Sequence, residues 1–147
     1  MKMLQKIALI AMCAVVAGGA QARDTILAHS IKDALTAANT VEKFDPAIGL
    51  YFGNQTTPGV LKRMREVTAN KKTNAFNKSD EEACRWAFLS AVLSLQGAAR
   101  AAGGNAVINI KSNYKKQETV SDTDYICGAG AFIGGVTLKG TIAVVGK

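Results

Sequence analysis

The chain holds a single histidine, His29, with Ser30 directly after it. Nucleophilic catalysis needs a base within hydrogen-bonding reach of the nucleophile, whereas neighbours in an extended segment point to opposite faces. His29 therefore reads first as a packed or surface histidine, and a hydrolase built on it is the weaker reading. Paired carboxylates occur as Glu81-Glu82 and as Asp122 with Asp124. The first pair stands where acids complement a helix N-terminus; the second lies in a polar loop suited at most to a weak cation. No G-x-x-x-x-G-K-[ST] phosphate loop occurs. Gly128, Gly130, Gly134 and Gly135 fall inside or between strand-like runs with no helix after them, where glycine serves close backbone approach. The expectation is a protein that is not an enzyme, with no catalytic, cofactor or metal site.

The remaining chemistry is charge. Lys62, Arg63 and Arg65 form one basic group, and Lys71, Lys72 and Lys78 a second, with Asn70, Asn74, Asn77 and Phe76 interleaved. These six cations are the candidate anion-binding residues. An envelope lipopolysaccharide, phospholipid headgroups or nucleic acid would suit them, and an aromatic in a basic loop can stack on a base or anchor the loop to the core. The competing reading is a solvated basic surface, and no specific nucleic-acid partner is expected.

Positioning begins with an address. Lys2 and Lys6 precede an apolar run over 7–17, Gly18-Gly19 break it, and Ala20-Gln21-Ala22 supplies small residues for cleavage. That order is a signal peptide over 1–22, cut between Ala22 and Arg23, which sends the protein to the periplasm or outside the cell. Cys13 sits in a lipobox-like Ile10-Ala11-Met12-Cys13, but Met precedes the cysteine where a small residue is needed. Of 147 residues, 48% are hydrophobic and 20% charged, which suits one globular domain over 23–147. Without Lys2 and Lys6 the 18 basic residues fall to 16 against 11 acids, a net of +5. A multidomain ATPase, an acidic tail and a multi-span membrane protein are excluded. Two cysteines remain after cleavage, Cys84 and Cys127. In an oxidising compartment such an even pair is expected as a disulfide, the other reading being two buried thiols.

Thr25–His29 reads as a strand and Ser30 as the cap of a helix over Ile31–Ala38. A strand follows over Ile48–Gly53, then a loop over Asn54–Gly59, and Val60–Asn70 favours a strand over a helix. The polar, basic Lys71–Lys78 reads as a loop. Ser79, with Glu82 three residues on, opens a helix ending at Ala102 before Gly103-Gly104. Its apolar positions nearly encircle it, so it needs cover on more than one side, from a sheet and from a neighbouring subunit. The next strand runs Asn105–Ile110, with Ala106, Ile108 and Ile110 on one face. Tyr114–Asp124 is a hairpin connection or mobile loop. Tyr125–Ile133 and Val136–Val145 are strands turned by Gly134-Gly135, with Val136, Leu138, Ile142 and Val144 on the packed face. The fold expected is α+β: a twisted, mostly antiparallel sheet with one long helix packed across it.

The stretch from Glu82 to Ile110 resembles the Ala-rich helix, G-A-[DN]-A-V-V and strand of the YbjQ-like family, labelled heavy-metal-binding. Val136–Val144 resembles that family's closing strand. RcsF-like envelope proteins, which are disulfide-bonded, are similar over the same part. The mature chain as a whole resembles small exported bacterial proteins labelled excinuclease ATPase subunits, through K-K-T-N-A-F-x-K-S-D-E-E-A-C-R-W-A at Lys71–Ala87. The resemblance implies an α+β fold and, because YbjQ-like proteins form rings, a homo-oligomer. The excinuclease label conflicts with the missing Walker motif and zinc-module cysteines. The function expected is partner binding or oligomerisation in the cell envelope, the alternative being capture of an anionic envelope ligand by the basic loop.

Overall fold

The structure, a computed structural model, describes residues 23–37 and 41–147. The expected signal peptide, its cleavage residue Ala22, and Ala38 lie outside them. The elements are β1 (Thr25–Ser30), α1 (Ile31–Thr36), a 3-10 turn (Val41–Lys43), β2 (Gly49–Phe52), β3 (Val60–Asn74), α2 (Asp80–Ala102), β4 (Ala106–Tyr114), β5 (Gln117–Thr119), β6 (Asp124–Ala129) and β7 (Ile133–Val145). The architecture is α+β with a mixed sheet of 7 strands in the order β1-β6-β7-β4-β2. β3 runs along β7, and β5 pairs with β4. Only β2 with β4 is parallel; the other pairings are antiparallel.

Local chemistry explains α2. The Ser79 hydroxyl accepts from the Glu82 N–H at 3.1 Å, satisfying one of the free donors of the first turn. Gly103 adopts φ 80° at the other end, and its N–H donates to Ala99 and Arg100 carbonyls. Between the caps, Ala87, Phe88, Ala91, Val92, Leu95 and Ala99 are buried against Val107, Ile110, Val136, Leu138 and Ile142 of the sheet. Phe88 stacks on Tyr125 at 4.1 Å between centroids. The Cys84–Cys127 disulfide, Cα–Cα 5.8 Å, ties the helix's first turn to β6.

A second side of α2 is covered by the segment over 41–48 of the same chain. Buried Gln96 accepts from the Asp45 N–H and donates to the Asp45 and Ile48 carbonyls, Arg100 pairs with Asp45, and Lys43 lies over the Trp86 ring. The segment over 41–48 is thereby tied along the helix.

Several sequence expectations are corrected. Lys71–Asn74 continue β3 instead of opening a loop, because their backbone pairs with Ile133–Val136 of β7. The β6–β7 turn is Gly130–Phe132, where the Gly130 N–H reaches the Ile133 carbonyl at 2.9 Å; Gly134 and Gly135 belong to β7. Ala106, Ile108 and Ile110 do not share a face. Asn109 takes φ 50° and the β4–β7 register slips there. The bulge puts Ile110 with Val107 under α2 and leaves Ala106 and Ile108 on the far face. There they pack with Ala143 and Val145, while Val144 is only half-buried. The sheet is thus not bare opposite α2. α1 stops at Thr36, and Tyr114–Asp124 contains a β4–β5 hairpin through Lys115-Lys116, both at positive φ.

Candidate functional site

The six cations nominated from sequence do not converge. Lys62, Arg63 and Arg65 lie toward the start of β3, and Lys71 and Lys72 toward its end. Some ten residues of strand separate Lys62 from Lys72, about 33 Å at the usual rise. Arg63 donates to the Asn109 side chain at 3.2 Å, and Lys78 donates to the Asn74 carbonyl at 2.9 Å. Strand alternation turns Lys71 to the α2 side, where Val67 and Ala69 are buried, and Lys72 to the opposite face.

Lys72 lines a groove of about 610 Å³ on the face opposite α2, a volume within the ~300–1,000 Å³ usual for ligand sites. Its glycines, Gly128, Gly130 and Gly135, come from β6, the turn and β7. Tyr114 forms one wall by lying against the position a Gly128 side chain would fill, its hydroxyl donating to Asp24 at 3.1 Å. Burial and that bond to Asp24 push the Tyr114 hydroxyl above its ordinary range. Phe132 and Ile133 line the groove too and remain 66% and 55% exposed. Phe76, 56% exposed, stacks on Phe132 at 6.0 Å. So Phe76 is not an anchor to the core; it extends the apolar rim. The Asn74 side chain accepts from the Phe76 N–H, and Asn77 takes φ 57°, which together build the tight turn carrying it.

Most rim charges are already paired. Arg23 reaches Asp80 and the Gly130 carbonyl, raising its own pKa and holding the Asp80 carboxyl below the ordinary carboxylate value. Lys115 pairs with Asp24, lowering Asp24 in the same way. Lys72 has no ion-pair partner among the described residues, so it is the surplus charge of the groove. Beyond the groove, Lys139 bridges Glu66 and Glu118, and Lys111 joins Glu118.

The other candidates part company. Ser30 caps α1, accepting from the Asp33 N–H at 3.1 Å, while His29 lies in a separate small cavity beside Tyr125. Asp122 accepts from the Asn54 N–H at 2.7 Å and so organises a loop. Among the described residues no group of three or more His, Cys, Asp or Glu could hold a metal ion, and no helix is long and apolar enough to cross a membrane. The sequence reading missed Phe132 and the glycine floor. The signal was present in Gly128, Gly130 and Gly135, but their strand register placed the groove and could not be read without the turn. Comparison with family models, with curated proteins and with solved structures finds no match.

Proposed function

We propose that this is an exported, non-enzymatic binding domain of the cell envelope, YbjQ/RcsF-like in build, that holds an anionic lipid at the glycine-floored groove. The carrying observation is an apolar groove with exposed Phe132 and Ile133 beside Lys72, a cation with no ion-pair partner among the described residues. An acyl chain covering a large apolar side chain gains about 1.5–3 kcal/mol per residue fully buried. An anionic headgroup complements Lys72, with Lys78 on the adjoining turn. The disulfide and the signal-like N-terminus support the oxidising compartment this reading needs. The geometry favours this over nucleic acid, because the basic residues are spread along one strand rather than tracking a backbone.

Vesicle flotation tests it. The protein should float with phosphatidylglycerol vesicles, less so as salt rises, and should stay behind with phosphatidylcholine alone. Phe76→Ser with Phe132→Ser, and separately Lys72→Glu, should each reduce flotation about tenfold. Binding that ignores both changes overturns the reading. Light scattering that shows a dimer broken by the phenylalanine changes would transfer the groove to a second copy of the chain.

A further inference from the structure

On the α2 side of the sheet, His29 of β1 stands opposite Tyr125 of β6, their rings 5.8 Å apart, so both side chains share one face. Glu81 and Arg85 of α2, one turn apart, and Asp33 of α1 close a cavity of about 250 Å³ around them. That is below the ~300–1,000 Å³ of drug-sized sites, so the occupant is small. Tyr125 is 2% exposed, and its burial keeps the hydroxyl protonated, a donor, well above its ordinary pKa. Two polar atoms here are buried without a hydrogen-bonding partner among the described residues: Nε2 of His29 and Nε of Arg85. An arginine Nε–H left so is a costly donor, and native interiors rarely leave one.

The charges carry the argument further. Arg85 lies four residues after Glu81, a spacing at which opposite charges on a helix meet, and Asp33 lines the same cavity. Yet Arg85 forms no ion pair with either acid. A cavity lined by charges of both signs that are unpaired among the described residues suits a ligand that brings both. We propose that this cavity binds a small zwitterion of the free amino-acid class, its carboxylate on Arg85, His29 and Tyr125 and its ammonium toward Asp33 and Glu81. The site is independent of the lipid groove, which lies on the other face of the sheet.

NMR titration of the ¹⁵N-labelled protein with glycine, L-alanine, acetate and methylammonium decides the matter. Amide signals of Ser30, Asp33 and Arg85 should move with one of the amino acids at about tenfold lower concentration than with acetate or methylammonium. Arg85→Gln should weaken that response about tenfold, and Asp33→Asn should weaken it while leaving the acetate response unchanged. Arg85→Lys serves the same purpose if the glutamine variant fails to fold. No movement with either amino acid up to about 100 mM, or equal response to acetate, overturns the proposal.

Discussion

On one side of β7, Gly134, Val136, Leu138 and Ile142 lie toward α2; on the other, Gly135, Thr137, Lys139 and Thr141 face the groove and its charged surroundings. The first face is covered by a 23-residue helix, which a disulfide ties to β6. The second carries a small apolar cluster at one end, an ion-pair net in the middle and an open groove at the other. The two adjacent glycines show the contrast at the scale of one residue. A side-chain carbon on Gly134 would stand 3.2 Å from the Ala83 methyl, so this glycine lets α2 come close. One on Gly135 would meet nothing nearer than Tyr114 at 3.5 Å, an ordinary contact, so this glycine keeps space open. Close packing along β7 is therefore concentrated on the α2 side, and the open groove lies on the other.

The strongest way to break that contrast is to hollow the covered face. Phe88→Ala removes a ring stacked on Tyr125 and near Phe52 at 5.9 Å, and should cost about 3–5 kcal/mol in chemical unfolding. A loss below about 1 kcal/mol would mean the helix face is not where stability resides. Next comes the disulfide. Cys84→Ala with Cys127→Ala opens a loop of 43 residues, worth about 4 kcal/mol on the chain-entropy account. Unfolding of the two variants' common background with and without reductant separates the bridge from the packing of its sulfurs.

The glycine pair sharpens the comparison directly. Gly134→Val sets its first carbon 3.2 Å from the Ala83 methyl and adds two further methyls against the helix, and should destabilise by about 1–3 kcal/mol. Gly135→Ala should change stability by no more than about 0.5 kcal/mol, while Gly135→Val narrows the groove and weakens vesicle flotation. Equal destabilisation by Gly134→Val and Gly135→Val would erase the distinction between the faces.

The sequence exposed the covered face far better than the open one. Ser79, Glu82 and Gly103 mark both ends of α2 because caps are local chemistry, and the period of Ala87, Phe88, Ala91 and Leu95 follows from the helix itself. The open face depends on strand parity, which one residue can invert. Asn109, at φ 50°, inverts it for Ile110, and nothing in the Asn105–Ile110 run separates that asparagine from an ordinary solvent-facing one. Likewise Lys71-Lys72 look like loop residues by composition. They became strand because β7 offers paired backbone at Val136 and Gly135, a partnership formed across more than sixty residues of chain. The sequence calls for cover on more than one side of α2, but not for the segment holding Asp45, which packs there through Gln96, a polar residue with no apolar period to reveal it.

Acid provides the smallest of the expected effects, and it acts unequally on the two faces. Asp45 is lowered by its hydrogen bonds from Arg100 and then from the Ala47 N–H, on the helix side. Asp80, Asp24 and Glu118 are lowered chiefly by hydrogen bonds from Arg23, Lys115 and Lys139, around the groove and the outer net. A carboxylate whose folded pKa lies below its unfolded one stabilises the fold above the unfolded value, 3.8 for the aspartates, and loses that contribution as pH falls through the folded value. The melting temperature should therefore hold from neutral pH to about 5 and then decline toward pH 2–3. Asp45→Asn should flatten part of that decline while leaving the groove intact, because the segment over 41–48 keeps its Gln96 bonds. Asp80→Asn, by contrast, frees Arg23 beside the groove, adds a second unpaired cation next to Lys72, and should strengthen flotation with anionic vesicles at neutral pH. If Asp45→Asn strengthened flotation as much as Asp80→Asn, charge would be acting on the whole molecule rather than on the open face.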